Sequence, residues 1–290
     1  MENRDGGPEP ANCVGPCPTI TDVQSMPDER NIPIDKVGVK GLRYPIRVKD
    51  RTKVLQHTVG VFDLFVNLPR QFKGTHMSRF IEVLNEYRGE ISMEKFQEIL
   101  EKIKLKLSAR SAHMNVEFPY FIEKTAPVSG TPGVMSYTCF MRGSLAERFD
   151  LIVGVEVPVT TVCPCSKEIS EYGAHNQRGI VRVQLRFNKF FWLEEIIEVV
   201  ESSVSSEVYS LLKRPDEKFV TERAYENPMF VEDVVRATLS RLREKDNFPW
   251  YRIEAENFES IHNHSAYAMI EKDFLPKPEC FQGGNTGRFN

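Results

Sequence analysis

Three stretches of this chain carry side chains able to do chemistry at places where a strand gives way to a loop. The first is Thr160-Thr161-Val162-Cys163-Pro164-Cys165-Ser166-Lys167-Glu168. It follows a clean alternation of Phe149, Leu151, Val153, Val155, Val157 and Val159, and Pro164 stops the ladder by removing a backbone donor. The second, Gly173-Ala174-His175-Asn176-Gln177-Arg178-Gly179, places His175 twelve residues beyond Cys163 and just before the next alternating run. A hairpin-like connection would bring Cys163 and His175 together. Thiolate and imidazole are preferred ligands of zinc and similar divalent ions. The competing reading is a small buried thiol, the commoner fate of a cysteine at a strand end. Cys-X-Cys by itself does not decide between the two.

The third stretch runs from Glu254 to Ser265 and packs acids and histidines (Glu254, Glu256, Glu259, His262, His264) into strand-like sequence. It either completes a metal or acid–base site or forms a solvated turn. A fourth region, Lys213 to Asp233, is mostly charged loop. Glu232 differs because it adjoins an apolar stripe. Half buried there, its carboxylate could accept two hydrogen bonds from a guanine-type edge, or it could merely complement a helix N-terminus. Gly74-Thr75-His76-Met77-Ser78-Arg79 opens a helix and could hold phosphate or act as an ordinary cap. There is no Walker A loop, no strand-linked Gly-x-Gly-x-x-Gly and no nucleophile elbow.

The elements that must position these residues can be read from period. Val54 to Leu68 is β-branched and aromatic, as a strand would be. Ser78 to Arg88 reads as a helix, and Met93, Phe96, Ile99, Leu100, Ile103 and Leu107 share one face of a second. Met114 to Ile122 and Val134 to Arg142 alternate as strands around the turn at Ser129–Gly133. In the second half, Val181 to Phe187 alternates, a long helix carries Leu193 through Leu211, and a further helix spans about Pro228 to Arg243. Two final strands fit Trp250 to Phe258 and His264 to Ile270. With a weaker strand near Gly41 to Val48, each half reads ββααββ. This expectation divides the chain into a flexible tail at 1–35, units at 36–147 and 148–275, and a loose end at 276–290. Antiparallel sheets with helices on one face make an α+β protein, and open sheet edges invite closure by oligomerisation.

Composition narrows the function. Of 290 residues 41% are apolar and 27% charged, with a formal net charge of −3. That is a globular balance without the basic excess of a nucleic-acid binder, so no nucleic-acid partner is expected. No apolar run approaches the roughly 18 residues needed to span a bilayer. The first residues lack an apolar signal core. The expectation is a cytoplasmic protein with no membrane partner, whose six cysteines (Cys13, Cys17, Cys139, Cys163, Cys165 and Cys280) are reduced.

The strings Cys163 to Ser170, Gly173 to Arg178, Leu211 to Glu217, Glu226-Asn227-Pro228 with Phe230 to Asp233, and Glu256 to Ser265 together resemble the type IB GTP cyclohydrolase I family of bacteria. Asp28 to Ile34 and Lys73 to Phe80 fit as well, so the resemblance covers about residues 22 to 275. It implies a tunnelling fold of two ββααββ units per subunit, in a homotetramer with active sites between subunits. The implied reaction takes GTP and water to 7,8-dihydroneopterin triphosphate and formate. The implied cofactor is a divalent metal (zinc, manganese or iron) held by Cys163, His175, Glu217 and His262. Cys163, His175 and Glu259 are the implied catalytic residues, with His113 and His264 as further acid–base candidates. Glu232 is the implied guanine anchor, and Lys167, Arg178 or Arg79 would meet the triphosphate. Cys165 is read as a structural neighbour. Alternatives are an archaeal-type cyclohydrolase giving a cyclic phosphate, an NADPH-dependent nitrile reductase of the same fold, whose Glu- and Lys-rich cofactor motif is not seen, and a zinc-stabilised assembly module without turnover.

Overall fold

The computed structural model describes residues 22–87 and 90–273. The loose end expected at 276–290 and most of the tail expected at 1–35 lie outside the described residues, as do Cys13, Cys17 and Cys280. Residues 22–33 hold a short 3-10 turn at Val23–Ser25. It is docked by Gly74 N to Gln24 O and Lys73 N to Met26 O, each 3.0 Å.

The first half contains β1 (Ile34–Asp50), β2 (Val54–Leu68), α1 (Ser78–Tyr87), α2 (Met93–Lys106), β3 (Ala112–Thr125) and β4 (Pro132–Leu145). The second contains β5 (Phe149–Val162), α3 (Pro164–Ile169), β6 (Asn176–Arg186), α4 (Leu193–Glu201), β7 (Ser206–Glu207), α5 (Arg214–Glu226), α6 (Val231–Arg243), β8 (Trp250–Asn257) and β9 (Ala266–Asp273). α2 begins because the Ser92 hydroxyl accepts from Lys95 N and caps it. α2 packs on β3 and β4, α4 on β5, and α6 on β8 and β9. The alternating residues Phe62, Leu64 and Val66, Met114, Val116 and Phe118, and Val153, Val155 and Val157 enter one shared core with Phe96, Ile99, Ile196, Ile197, Val234 and Val235.

The expected tunnelling fold is corrected here. Two separate ββααββ units are replaced by one nine-stranded antiparallel sheet in the order β1-β2-β3-β4-β5-β6-β8-β9, with β7 beside β5. Pairing of β4 with β5, from Thr138↔Glu156 to Leu145↔Phe149, joins the two halves of the chain in that one sheet. The physical reason is that each separate unit would expose two open edges, and the short turn at 146–148 lets β4 and β5 satisfy one another's backbone groups. The first half keeps the expected ββααββ order, and the second departs from it. The helix expected over Leu193 to Leu211 stops at Glu201. There the Ser202 and Ser203 hydroxyls bond back to Val199 O at 3.0 and 2.6 Å, a side-chain alternative to continuing the helix. The chain then adds β7, and α5 arises where a charged loop was expected. No helix among the described residues is long and apolar enough to cross a membrane.

Candidate active site

The site is built on the β5–β6 hairpin. Thr160↔Arg178, Thr161↔Gln177 and Val162↔Asn176 pair at its tip, and Cys163 N then donates to His175 O at 3.1 Å. Pro164 begins α3, where its missing N–H costs nothing and its fixed φ suits the helix. Cys163 is the residue before α3, and its Sγ accepts from Ser166 N at 3.4 Å. Ser166 Oγ accepts in turn from His175 N at 3.3 Å. Cys163 and the His175 backbone are thus tied to one another directly and through Ser166.

Two further segments close over this tip. Phe258 N donates to Arg178 O at 2.9 Å, extending the β6–β8 ladder by one bond and delivering Glu259 and Ser260. Met229 N donates to Val162 O at 3.0 Å, and Asn227 Nδ2 donates to Val204 O, also at 3.0 Å. These bonds hold the α5–α6 connection against the end of β5. Around His175 Nδ1 stand Gln177 Oε1 at 3.0 Å, Ser260 Oγ at 3.4 Å and Glu259 Oε2 at 3.8 Å. The side chains of His175 and Glu259 are both only 14% exposed.

The His175 ring and the Glu259 carboxylate are therefore brought together, with Cys163 joined to His175 through the backbone. Other expected site residues are not. Glu217 is exposed on α5, next to Asp216, whose fully buried carboxylate accepts from Val128 N, Ser129 N and Lys213 N. His262 is exposed and stacks on His264 with ring centres 5.0 Å apart. Glu232 is exposed in the first turn of α6 rather than half buried. The cap there is Asp233, which accepts from Phe230 N at 3.1 Å. Lys167 reaches across to α5, with Nζ donating to Tyr225 O at 2.5 Å and lying 4.3 Å over its ring. Arg178 is exposed at the start of β6, and Cys165 is exposed on α3. Arg79 donates to Lys106 O at 3.1 Å. His113 pairs with Ser144, itself opposite Asp150 at the beginning of β5. At about 3.3 Å per strand residue, that puts it roughly 40 Å from Cys163 within one chain. Burial, with Lys36 nearby, pushes its imidazole below the usual range.

Among the described residues no three His, Cys, Asp or Glu side chains form a group able to hold a metal. Cys163 and His175, bonded to one another through the backbone, nevertheless have the donor types of a zinc-like centre, sulfur and imidazole. Sequence reasoning passed over Thr161, Ser166, Gln177 and Ser260. The available signal was the two-residue spacing of His175, just before β6, and Gln177 within it, the spacing of same-side neighbours in extended chain.

Fold and site together define a class: an α+β protein with an imidazole–carboxylate pair, and a cysteine backbone-bonded to that histidine, at one end of a continuous antiparallel sheet. Residues 20–268 match the family model described as type I GTP cyclohydrolase FolE2. The chain is 63% identical over 255 residues to the GTP cyclohydrolase FolE2 of Syntrophus aciditrophicus (strain SB), covering 88% of this chain and 100% of that one. It is 59% identical to that of Citrifermentans bemidjiense, covering 88% and 96%. This chain belongs to the type I GTP cyclohydrolase FolE2 family. Among solved structures, a uricase from Bacillus fastidious aligns over 85% of this chain and 94% of its own at 9% identity, with a TM-score of 0.53. That likeness concerns the fold alone, and it makes the architecture uricase-like where a tunnelling fold had been expected.

Proposed function

We propose that this chain is a GTP cyclohydrolase of folate biosynthesis, converting GTP and water to 7,8-dihydroneopterin triphosphate and formate. The observation that carries the reading is the approach of the Glu259 carboxylate to the His175 ring beside Cys163, whose backbone bonds His175, in a chain 63% identical to a relative named for that activity. A divalent metal (zinc, manganese or iron), when bound, supplies Lewis-acid activation of water for attack at C8 of guanine. Cys163 and His175 would hold it, and Glu217 and His262, which a single chain does not bring to them, would join as donors only across a contact between subunits. Glu259, beside His175, moves protons during ring opening and release of C8 as formate. Glu232 accepts the N–H and amino hydrogens of the guanine edge through both carboxylate oxygens. Arg178, exposed at the strand end, and Lys167, once it leaves Tyr225, meet the triphosphate.

The protein acts in the cytosol, where its thiols stay reduced. It assembles as a homotetramer, in which neighbouring subunits supply what one chain leaves open. The test is direct. Purified metal-loaded protein is incubated with GTP, pterin fluorescence is read after oxidation, and formate is assayed. Equimolar formate and pterin are expected, and no formate from GTP overturns the reading. Light scattering of the purified protein at four subunits supports the assembly, and a monomer contradicts it.

A further inference from the structure

Gln177 lies buried at the base of the site, and nothing above gives it a role. It pairs with Thr161 across β5 and β6. Thr161 is 0% exposed, and its Oγ1 is 3.0 Å from Gln177 Nε2. The other end of the same amide faces His175, with Oε1 3.0 Å from Nδ1. Which tautomer His175 adopts follows from what else surrounds Nδ1. Ser260 Oγ stands at 3.4 Å and the Glu259 carboxylate at 3.8 Å. A bare lone pair on Nδ1 would face three oxygens, whereas an N–H there can donate to any of them. With the proton on Nδ1, Gln177 must present its oxygen to the ring and its NH₂ to Thr161.

We propose that Gln177, anchored by Thr161, is a positioning residue that keeps the His175 proton on Nδ1 and leaves Nε2 as the free lone pair for metal binding. This rests on the reading of His175 as a ligand. Ligating histidines generally depend on such a partner, and losing it typically weakens metal affinity about 10–100-fold.

The experiment compares the parent with Gln177→Leu, Gln177→Glu and Thr161→Val. One readout is the imidazole ¹⁵N spectrum of His175 in the metal-free protein. The other is Zn²⁺ affinity by competition with a chelator. The parent and Gln177→Glu are expected to show Nδ1–H. Gln177→Leu is expected to lose the single tautomer and bind Zn²⁺ at least about 10-fold more weakly. Thr161→Val, nearly isosteric in its buried position, shifts both readouts the same way by less and decides the matter should Gln177→Leu not fold. An unchanged tautomer with affinity within twofold in Gln177→Leu, or in Thr161→Val if that is the one that folds, overturns the proposal. The tautomer is read without metal or GTP. A parent that binds no Zn²⁺ would therefore count against His175 as a ligand while leaving the role of Gln177 separately decided.

Discussion

Replacing Gly179 with alanine tests whether the strand ladder sets the geometry of the site. Gly179 lies in β6 between Val159 of β5 and Asn257 of β8. A methyl group on its Cα would sit 2.6 Å from Asn257 Oδ1, 2.9 Å from Glu256 O and 3.2 Å from Val159 Cγ2. Asn257 is 2% exposed and has little room to swing aside, and the Glu256 carbonyl is backbone. The β6–β8 spacing must therefore open by about half an ångström to restore ordinary contact. Overpacking of this kind costs about 1–3 kcal/mol of stability. The next bond along the ladder is Phe258 N to Arg178 O, which delivers Glu259 and Ser260 to His175. A misplacement near 1 Å can cost about 100-fold in rate, so half of it predicts a fall on the order of tenfold. Urea unfolding and kcat/KM for GTP measure the two effects. A Gly179→Ala protein within about 0.5 kcal/mol of the parent and within twofold in kcat/KM refutes this account of how the loop is held.

Lys124 reaches Glu201 Oε1 and Glu207 Oε2, each at 2.7 Å, with all three side chains largely buried. Lys124→Met strands two acids and is expected to cost about 3–5 kcal/mol. Burial raises the Glu201 carboxyl against the pull of Lys124, and without the lysine it rises further. A raised folded-state value gives stability at low pH that is lost as pH rises through it, so the deficit in urea melts should be smaller at pH 5.5 than at pH 8. An equal deficit at both would contradict the placement of that charge. For Asp216, burial acts to raise the carboxyl, but hydrogen bonds from Ser129, Lys213 and Val128 outweigh it and hold the group far below its usual range. Its stabilisation is present above about pH 4 and lost as pH falls further. Asp216→Asn should thus lower stability at pH 7 and flatten the acid limb of the stability curve, as thermal melts across that range would show.

The sequence disclosed elements wherever one face is buried. Val54–Leu68 matches β2, and the alternation from Phe149 matches β5, because these residues meet the helices with every second side chain. α5 escaped notice since only Asp216 and Ala224 of its thirteen residues are buried, leaving no apolar stripe to read. The pairing of β4 with β5 was equally hidden, because strand neighbours are chosen by backbone groups that every residue shares. At the site, the approach of Cys163 to His175 follows from a short hairpin and was legible. Glu259 arrives through β8, which pairs with β6 across a long stretch of sequence, and nothing local announces that contact. The roles of Thr161 and Gln177 depend on which strand lies beside which, so they became visible only with the register.

The claim that chemistry centres on Cys163 is tested most directly by formate release from GTP, with bound metal measured on the same samples, in the parent, Cys163→Ala and Cys165→Ala. Cys163 Sγ lies inside the loop and accepts from Ser166 N, whereas Cys165 is exposed on α3. Cys163→Ala is expected to lose its metal and at least about 100-fold of its formate release, and Cys165→Ala to stay within about twofold of the parent. Full metal and full formate release in Cys163→Ala would contradict the account.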